Sequence, residues 1–354
     1  MTPQGLSNTV WALAKLQSPP GPRWLGAFLE EAWLKMGVMN AQELGMMVWA
    51  LVQLQAQPDP AWFTRFDSLS VRQLEGALVQ NLSFMIHAFA HFRHLPSPEW
   101  QRAFFYQLEV QASRVQPVQA ADIFWALAEL DLAVPESLFK WLSDAITEDP
   151  AAITLPQLCA TVAAMARLGL PMEPGFLARV GAEVHLNMAE LELRSLAELA
   201  WGFSCAEFKP SISWLEQLDA QVAQRLQLNA GSSSRSGQVG ARSSGGSSRM
   251  APAMQPQPIA SRTRGKVLPP DEVVAICRWA GCRPMLGPSP PLPLRQALTH
   301  FLHMPRVLKL VSADQLMLAI QGAIQWGDGA ALMQAVSAFA SHNKQRRSRV
   351  VPRT

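Results

Sequence analysis

Apolar residues in the first two thirds of the chain recur every 38 positions. Trp11, Trp49, His87, Trp125, Ala163 and Trp201 form one column at that step. The next column holds only small residues: Ala12, Ala50, Ala88, Ala126, Ala164 and Gly202. Flanking columns are apolar, with Leu6, Leu44, Leu82, Ala120, Leu158 and Leu196 before, and Leu13, Leu51, Phe89, Leu127, Met165 and Phe203 after. A last one runs Leu16, Leu54, Phe92, Leu130, Leu168 and Ala206. Spacings of i, i+5, i+7 and i+10 with small residues between suit a helix packed on several sides. Prolines then interrupt each copy, as at Pro20 and Pro22, Pro58 and Pro60, Pro96 and Pro98, Pro135, Pro171 and Pro174, and Pro210. Proline ends one helix and is tolerated in the first turn of the next. A second helix opens with Trp24, Trp62, Trp100, Leu138, Phe176 and Trp214, and carries Phe28, Phe66, Phe104, Leu142, Val180 and Leu218 four residues on. The i, i+4 step places both on one face.

The pattern predicts first helices near 5–17 and second helices near 22–37, repeating every 38 residues. One such hairpin cannot bury its apolar side alone, so stacked copies must share a continuous core. The expected fold is all-α, a right-handed α-solenoid of six helical-hairpin repeats over residues 1–228. A Gly/Ser/Arg- and Pro/Gln-rich stretch, 229–266, has the composition of a flexible, disordered insertion. Residues 267–343 read as helical again, at Asp271–Trp279, Leu294–Leu302, Ala313–Trp326 and Ala330–Ala340. The last two segments resemble a first and a second helix, which makes eight repeats if decayed copies are counted. A basic tail, 344–354, closes the chain. Both tryptophan columns are expected in the core, so that Trp125→Ala costs about 3–5 kcal/mol.

Charge is divided unevenly. Residues 1–228 carry 14 basic and 23 acidic side chains, and 229–354 carry 16 and 4. Within the repeats, 1–115 balances 8 against 8, whereas 116–228 holds 6 basic and 15 acidic residues. The four cysteines, Cys159, Cys205, Cys277 and Cys282, form no CxxC pair, which argues against a disulfide framework or a zinc site. His87, His91 and His94 share a helix face, but His87 stands in the tryptophan column and no metal is expected. No catalytic or phosphate-loop motif occurs, so the expectation is a binding protein without cofactor, small-molecule substrate or membrane span, and not an enzyme. The helical pattern begins at once after Met1, with no recognisable leader.

The hairpins resemble the octotricopeptide repeat, a 38-residue repeat of organelle RNA-binding proteins. The likeness rests on the turns Pro19-Pro20-Gly21-Pro22-Arg23-Trp24, Pro58-Asp59-Pro60-Ala61-Trp62 and Pro96-Ser97-Pro98-Glu99-Trp100, and on the helix segments Trp11-Ala12-Leu13-Ala14 and Trp125-Ala126-Leu127-Ala128. It covers about two thirds of the chain and extends to chloroplast translation-factor-type repeat proteins. More distantly it reaches FAST-kinase-like proteins, although residues 267–354 lack the strand-rich pattern of their RAP domain. The resemblance implies binding of single-stranded organelle RNA, control of transcript stability, processing or translation, and a chloroplast or mitochondrial location. A cytosolic location is the alternative.

Positions −7, −3 and +4 from the tryptophan column lie on one helix face, because seven residues make about two turns. They vary while their neighbours do not. The candidates for RNA contact are Gln4, Asn8, Lys15, Gln42, Gln53, Gln80, Phe84, His91, Asp122, Glu129, Arg167, Arg194 and Glu198. Amides pair with base edges, cations with guanine or phosphate, and an aromatic ring stacks on a base. The competing readings are a solvated face that drifts freely and a protein-interaction scaffold of armadillo type. The acidic second half suits a protein partner. Arg235, Arg242, Arg249, Arg262 and Arg264 of the insertion suit loose RNA contact or a plain linker equally.

Overall fold

A computed structural model describes residues 1–230, 269–302 and 304–326, and among these the chain is all-helical. Six helix pairs come first: α1 (Pro3–Lys15) and α2 (Pro22–Lys35), α3 (Ala41–Gln53) and α4 (Pro60–Ser70), α5 (Val79–His91) and α6 (Pro98–Val110), α7 (Pro117–Glu129) and α8 (Glu136–Glu148), α9 (Leu155–Arg167) and α10 (Pro174–Asn187), α11 (Leu193–Cys205) and α12 (Ile212–Ala230). Each pair begins 38 residues after the one before, and the first helices start about two residues ahead of the expected position. Four more follow: α13 (Pro270–Leu286), α14 (Leu292–Leu302), α15 (Pro305–Leu310) and α16 (Ala313–Gln325).

Local chemistry explains these boundaries. Proline occupies the first turn of α1, α2, α4 and α6, where its missing N–H costs nothing. The Asp59 carboxylate accepts from Trp62 N at 2.7 Å, and Asn40 and Glu43 form a capping box at α3. The first helices all stop in the same way. Gln17, Gln55, Arg93, Asp131, Gly169 and Glu207 have φ between 49° and 67°. The next amide reaches back to the carbonyl five residues earlier, as from Ser18 to Leu13 and from Ala56 to Leu51, both at 3.0 Å. That is a Schellman closure, which satisfies carbonyls the helix leaves over. Glycine is the usual occupant, and a residue with a Cβ costs about 1 kcal/mol there.

The chain divides into two compact units. One comprises Met1–Asn187 with Trp201–Phe208, the other Met188–Ala200 with the described residues from Lys209 on. In the first unit α1, α3, α5, α7 and α9 pack in succession as one layer. Leu6, Leu44, Leu82, Val10, Val48, Ile86, Phe124 and Val162 fill its centre. The second helices bury Trp62 and Trp100, whose indole N–H groups donate to the Leu29 carbonyl at 3.3 Å and the Ser70 hydroxyl at 3.0 Å. Asp67 ties the next hairpin down by accepting from the Ser97 amide at 2.8 Å and hydroxyl at 2.9 Å.

The small-residue column sets how closely the first helices approach. A Cβ on Gly202 would lie 2.8 Å from Val162 Cγ1 and 3.2 Å from its carbonyl. In the second unit α13 packs on α16 in the same manner, and a Cβ on Gly322 would come within 1.9 Å of the Ala280 carbonyl oxygen. Helix α16 has 13 residues, like the first helices, and opens with a Ser312–Gln315 capping box. The expected second helix at Ala330–Ala340 lies outside the described residues, as do the insertion from 231 on and the basic tail. Helix α13 extends seven residues past the expected Trp279, through Gly281 and Pro284. Arg283 accounts for the extension. Its buried guanidinium grips Asp219 of α12 at 2.8 and 2.9 Å and donates to the Pro288 carbonyl at 2.7 Å, while Trp279 Nε1 donates to the same carboxylate at 3.2 Å. Helix α15 has no counterpart in the sequence reading.

Because the Gly322 Cβ position is occupied by backbone, Gly322→Ala is expected to lower stability by about 3 kcal/mol. Gly202→Ala should cost about 1 kcal/mol, since mainly the Val162 side chain must yield. Urea unfolding of the two variants checks the order, and equal midpoints would refute the close approach.

Candidate nucleic-acid interface

The thirteen candidate residues lie on the first helices, and none is fully buried. Gln4, Asn8, Lys15, Gln42, Gln53, Gln80, His91, Glu129, Arg167 and Arg194 are exposed, while Phe84, Asp122 and Glu198 are half-buried. The structure corrects the expectation that both tryptophan columns lie in the core. Trp11, Trp49, His87, Trp125 and Trp201 are half-buried rather than core residues. At 100° per residue, positions −7, −3, 0 and +4 fall within one sector of about 60°, so this column belongs to the candidate face itself. In the second-helix column Trp62, Trp100 and Trp214 are core residues, whereas Trp24 is 38% exposed, because α2 has no preceding hairpin to cover it.

Ring contacts therefore run between repeats along the stripe. The Lys15 ammonium sits 5.5 Å above Trp11 and 4.7 Å above Trp49. Trp49 meets Phe84 at 5.7 Å, and His87 meets Trp125 at 4.6 Å. Such cation–π and aromatic contacts are worth about 0.5–1.5 kcal/mol each. Burial, and then the neighbouring His91 charge, lowers the His87 pKa to about 4, so its ring is neutral at pH 7. Burial also lowers His91 and His94. Beside Trp49 a concavity of about 490 Å³ opens, lined by Lys15, Gln17, Gln53 and Gln55.

The two halves of the stripe differ in their pairing. Among the described residues, the amides of Gln4, Asn8, Gln53 and Gln80 make no side-chain hydrogen bond. From α7 onward the polar groups engage one another. Gln157 donates to Asp122 at 2.7 Å, and burial raises the Asp122 pKa against that bond. Arg167 bridges Glu129 and donates to the Ala128 carbonyl at 2.8 Å. In the second unit Glu198 pairs with Arg194 at 3.1 Å and with Arg278 at 3.6 Å. Sequence reasoning missed Gln157 and Arg278, whose partners are distant in sequence. It also passed over Gln17 and Gln55, although Gly169 in that column marks a left-handed turn.

Among the described residues no group of three or more His, Cys, Asp or Glu side chains is placed to hold a metal, and no helix is long and apolar enough to cross a membrane. Burial pushes the Cys277 thiol up to about 12, far from a nucleophile's range. No family model matches the chain, and no curated protein matches its sequence.

Two outcomes follow from these positions. Trp100→Ala should cost about 3–5 kcal/mol, and the half-buried Trp125→Ala only about 1–2 kcal/mol. Thermal unfolding of both variants measures the difference, and equal losses would return Trp125 to the core. The second outcome concerns pH. Below about pH 6.5 the unfolded chain takes up a proton that His87 resists until about pH 4 in the fold. Stability is thus intact above pH 6.5 and falls by about 2–3 kcal/mol towards pH 4. His87→Trp should remove that part of the acid loss, and an identical pH–stability curve for the variant would contradict it.

Proposed function

We propose that the helix pairs are six 38-residue repeats of a right-handed solenoid that binds single-stranded RNA along the stripe of its first helices. The reading extends to α13–α14 and α16 as decayed repeats. It makes the chain a non-catalytic factor acting on the stability, processing or translation of a chloroplast or mitochondrial transcript, as the octotricopeptide likeness implies. The observation that carries it is the composition of the accessible face from α1 to α5. There half-buried rings alternate with outward amides and the Lys15 ammonium. Unpaired bases are recognised by stacking on rings and by hydrogen bonds to their edges, with cations on the phosphates. The even charge balance of residues 1–115 leaves such a face accessible to a polyanion.

A protein partner is the second reading. It draws on the acidic bias of residues 116–228 and on exposed apolar side chains of the second helices, Tyr106, Val110 and Trp141. Such a partner would be basic or apolar and would sit on the opposite side of the hairpins from the stripe.

The RNA reading is tested with the full chain and a randomised pool of single-stranded RNA at two salt concentrations. Changing Gln42 and Gln53 together to Ala should relax the choice at a single nucleotide. Lys15→Gln should weaken all sequences alike and reduce the salt slope by about 0.7, the value for one phosphate contact on a single strand. Arg167→Gln should have a smaller effect, because Glu129 already engages that guanidinium. If the full chain shows no affinity at low salt, the repeats are protein-binding.

A further inference from the structure

The closure of all but one of the six first helices places a side chain where the backbone itself would favour none. Five of the six left-handed positions, Gln17, Gln55, Arg93, Asp131 and Glu207, carry a Cβ, and only the fifth repeat uses glycine, Gly169. Gly169 makes the same back-bonded turn as the others, from the Leu170 amide to the Met165 carbonyl at 3.0 Å. The closure therefore needs no side chain at this position. All six residues are exposed, so packing does not account for the larger ones either. Between the first two repeats, two of them have a visible place: Gln17 and Gln55 line the concavity beside Trp49, Lys15 and Gln53.

We propose that this left-handed column is a further specificity-determining position for a nucleotide ligand, with its first site in the Trp49 concavity. The proposal rests on the RNA reading above and adds to it a residue outside the helical stripe. In that site an unpaired base lies against the Trp49 ring, in the place the Lys15 ammonium now covers. Lys15 swings aside to the adjoining phosphate. The amides of Gln53 and Gln55 then face the edge of the base, each offering one acceptor and two donors. The volume of about 490 Å³ accommodates a base and its sugar. Along the chain the column reads Gln, Gln, Arg, Asp, Gly, Glu, so its uncharged and basic side chains coincide with the repeats that hold the unengaged stripe amides Gln4, Asn8, Gln53 and Gln80. The acidic members and the glycine fall in the second half, where the stripe is paired with itself. Strain tolerated where a side chain meets a ligand is a recurring property of binding sites.

Gln55→Gly separates this role from a structural one, because the two predict changes of opposite sign. The substitution relieves the left-handed strain and should raise Tm by about 2 °C. It should at the same time weaken binding of the preferred RNA by about tenfold and flatten the preference at one nucleotide. Gly169→Gln is the converse variant. Nothing lies within 4 Å of its Cβ position, so the side chain fits, at the expense of a lower Tm. It should introduce a preference at a nucleotide the wild type ignores. The measurements are thermal unfolding and titration of the full chain against the randomised single-stranded RNA pool. If the wild type binds RNA and Gln55→Gly binds it with equal affinity and selectivity, the column is not a reader and the proposal falls while the RNA reading stands. If the wild type binds no RNA, both fall together.

Discussion

Close approach of neighbouring first helices is the constraint on which the other features depend. It is possible only because the column of Ala50, Ala88, Ala126, Ala164 and Gly202 presents nothing larger than a methyl group to the neighbouring helix. At Gly322 even the methyl is excluded by the Ala280 carbonyl. Packing this tight brings Val10, Val48, Ile86 and Phe124 into full burial and spends little of the helix surface in doing so. What remains on the outer side is a regular face, repeated at each helix. Its rings are near enough to touch from one repeat to the next, as Trp49 touches Phe84 and His87 touches Trp125. Larger residues in the small column would separate the helices and dissolve those contacts along with the core.

The same residue type serves two purposes in the two helices of a pair. Trp62 and Trp100 lie inside, and each sends its N–H to an acceptor on the preceding hairpin, which locks the order of the second helices. Trp11, Trp49 and Trp125 lie at the surface of the first helices and keep a ring face partly open. A half-buried ring is both a packing group and an adhesive one. The face also draws on electrostatics that a charge count does not reveal. The acidic excess of the second half is partly spent on local partners, with Asp122 held by Gln157 and Glu129 by Arg167. The stripe of the first half is close to neutral yet has unengaged donors and acceptors. Polar recognition depends on such unengaged groups more than on net charge.

Beyond the insertion, a buried ion pair replaces periodicity as the organising element. Arg283 and Asp219 lie 64 positions apart in the chain, yet their bidentate contact and the Trp279 bond join α13 to α12. Pairs of this kind contribute little net stability against a well-packed apolar alternative, but removing one partner strands a buried charge. The pair therefore specifies where the second unit's helices dock. It also explains why α13 continues through Gly281 and Pro284, residues that would end a helix elsewhere.

The sequence by itself determined the helical class, the hairpin unit and the starting point of each helix in the six pairs to within about two residues. It could do so because helix period, proline turns and caps are local, and because six copies at one interval reinforce a pattern that a single copy would leave ambiguous. It also placed the candidate stripe on one face, since angular position on a helix follows from residue number alone. Which side of that helix would be covered was decided by the tertiary structure. Trp125 and Trp100 are equally apolar in the sequence, and only the packing of neighbouring helices buries one and leaves the other half-open. The pairing of Asp122, Glu129 and Glu198 was equally out of reach, because Gln157, Arg167 and Arg278 approach them only after the repeats stack. The left-handed column fell between the two. Its period was present in the sequence, but glutamine, arginine and glutamate do not announce a positive φ, and the backbone geometry alone made it visible.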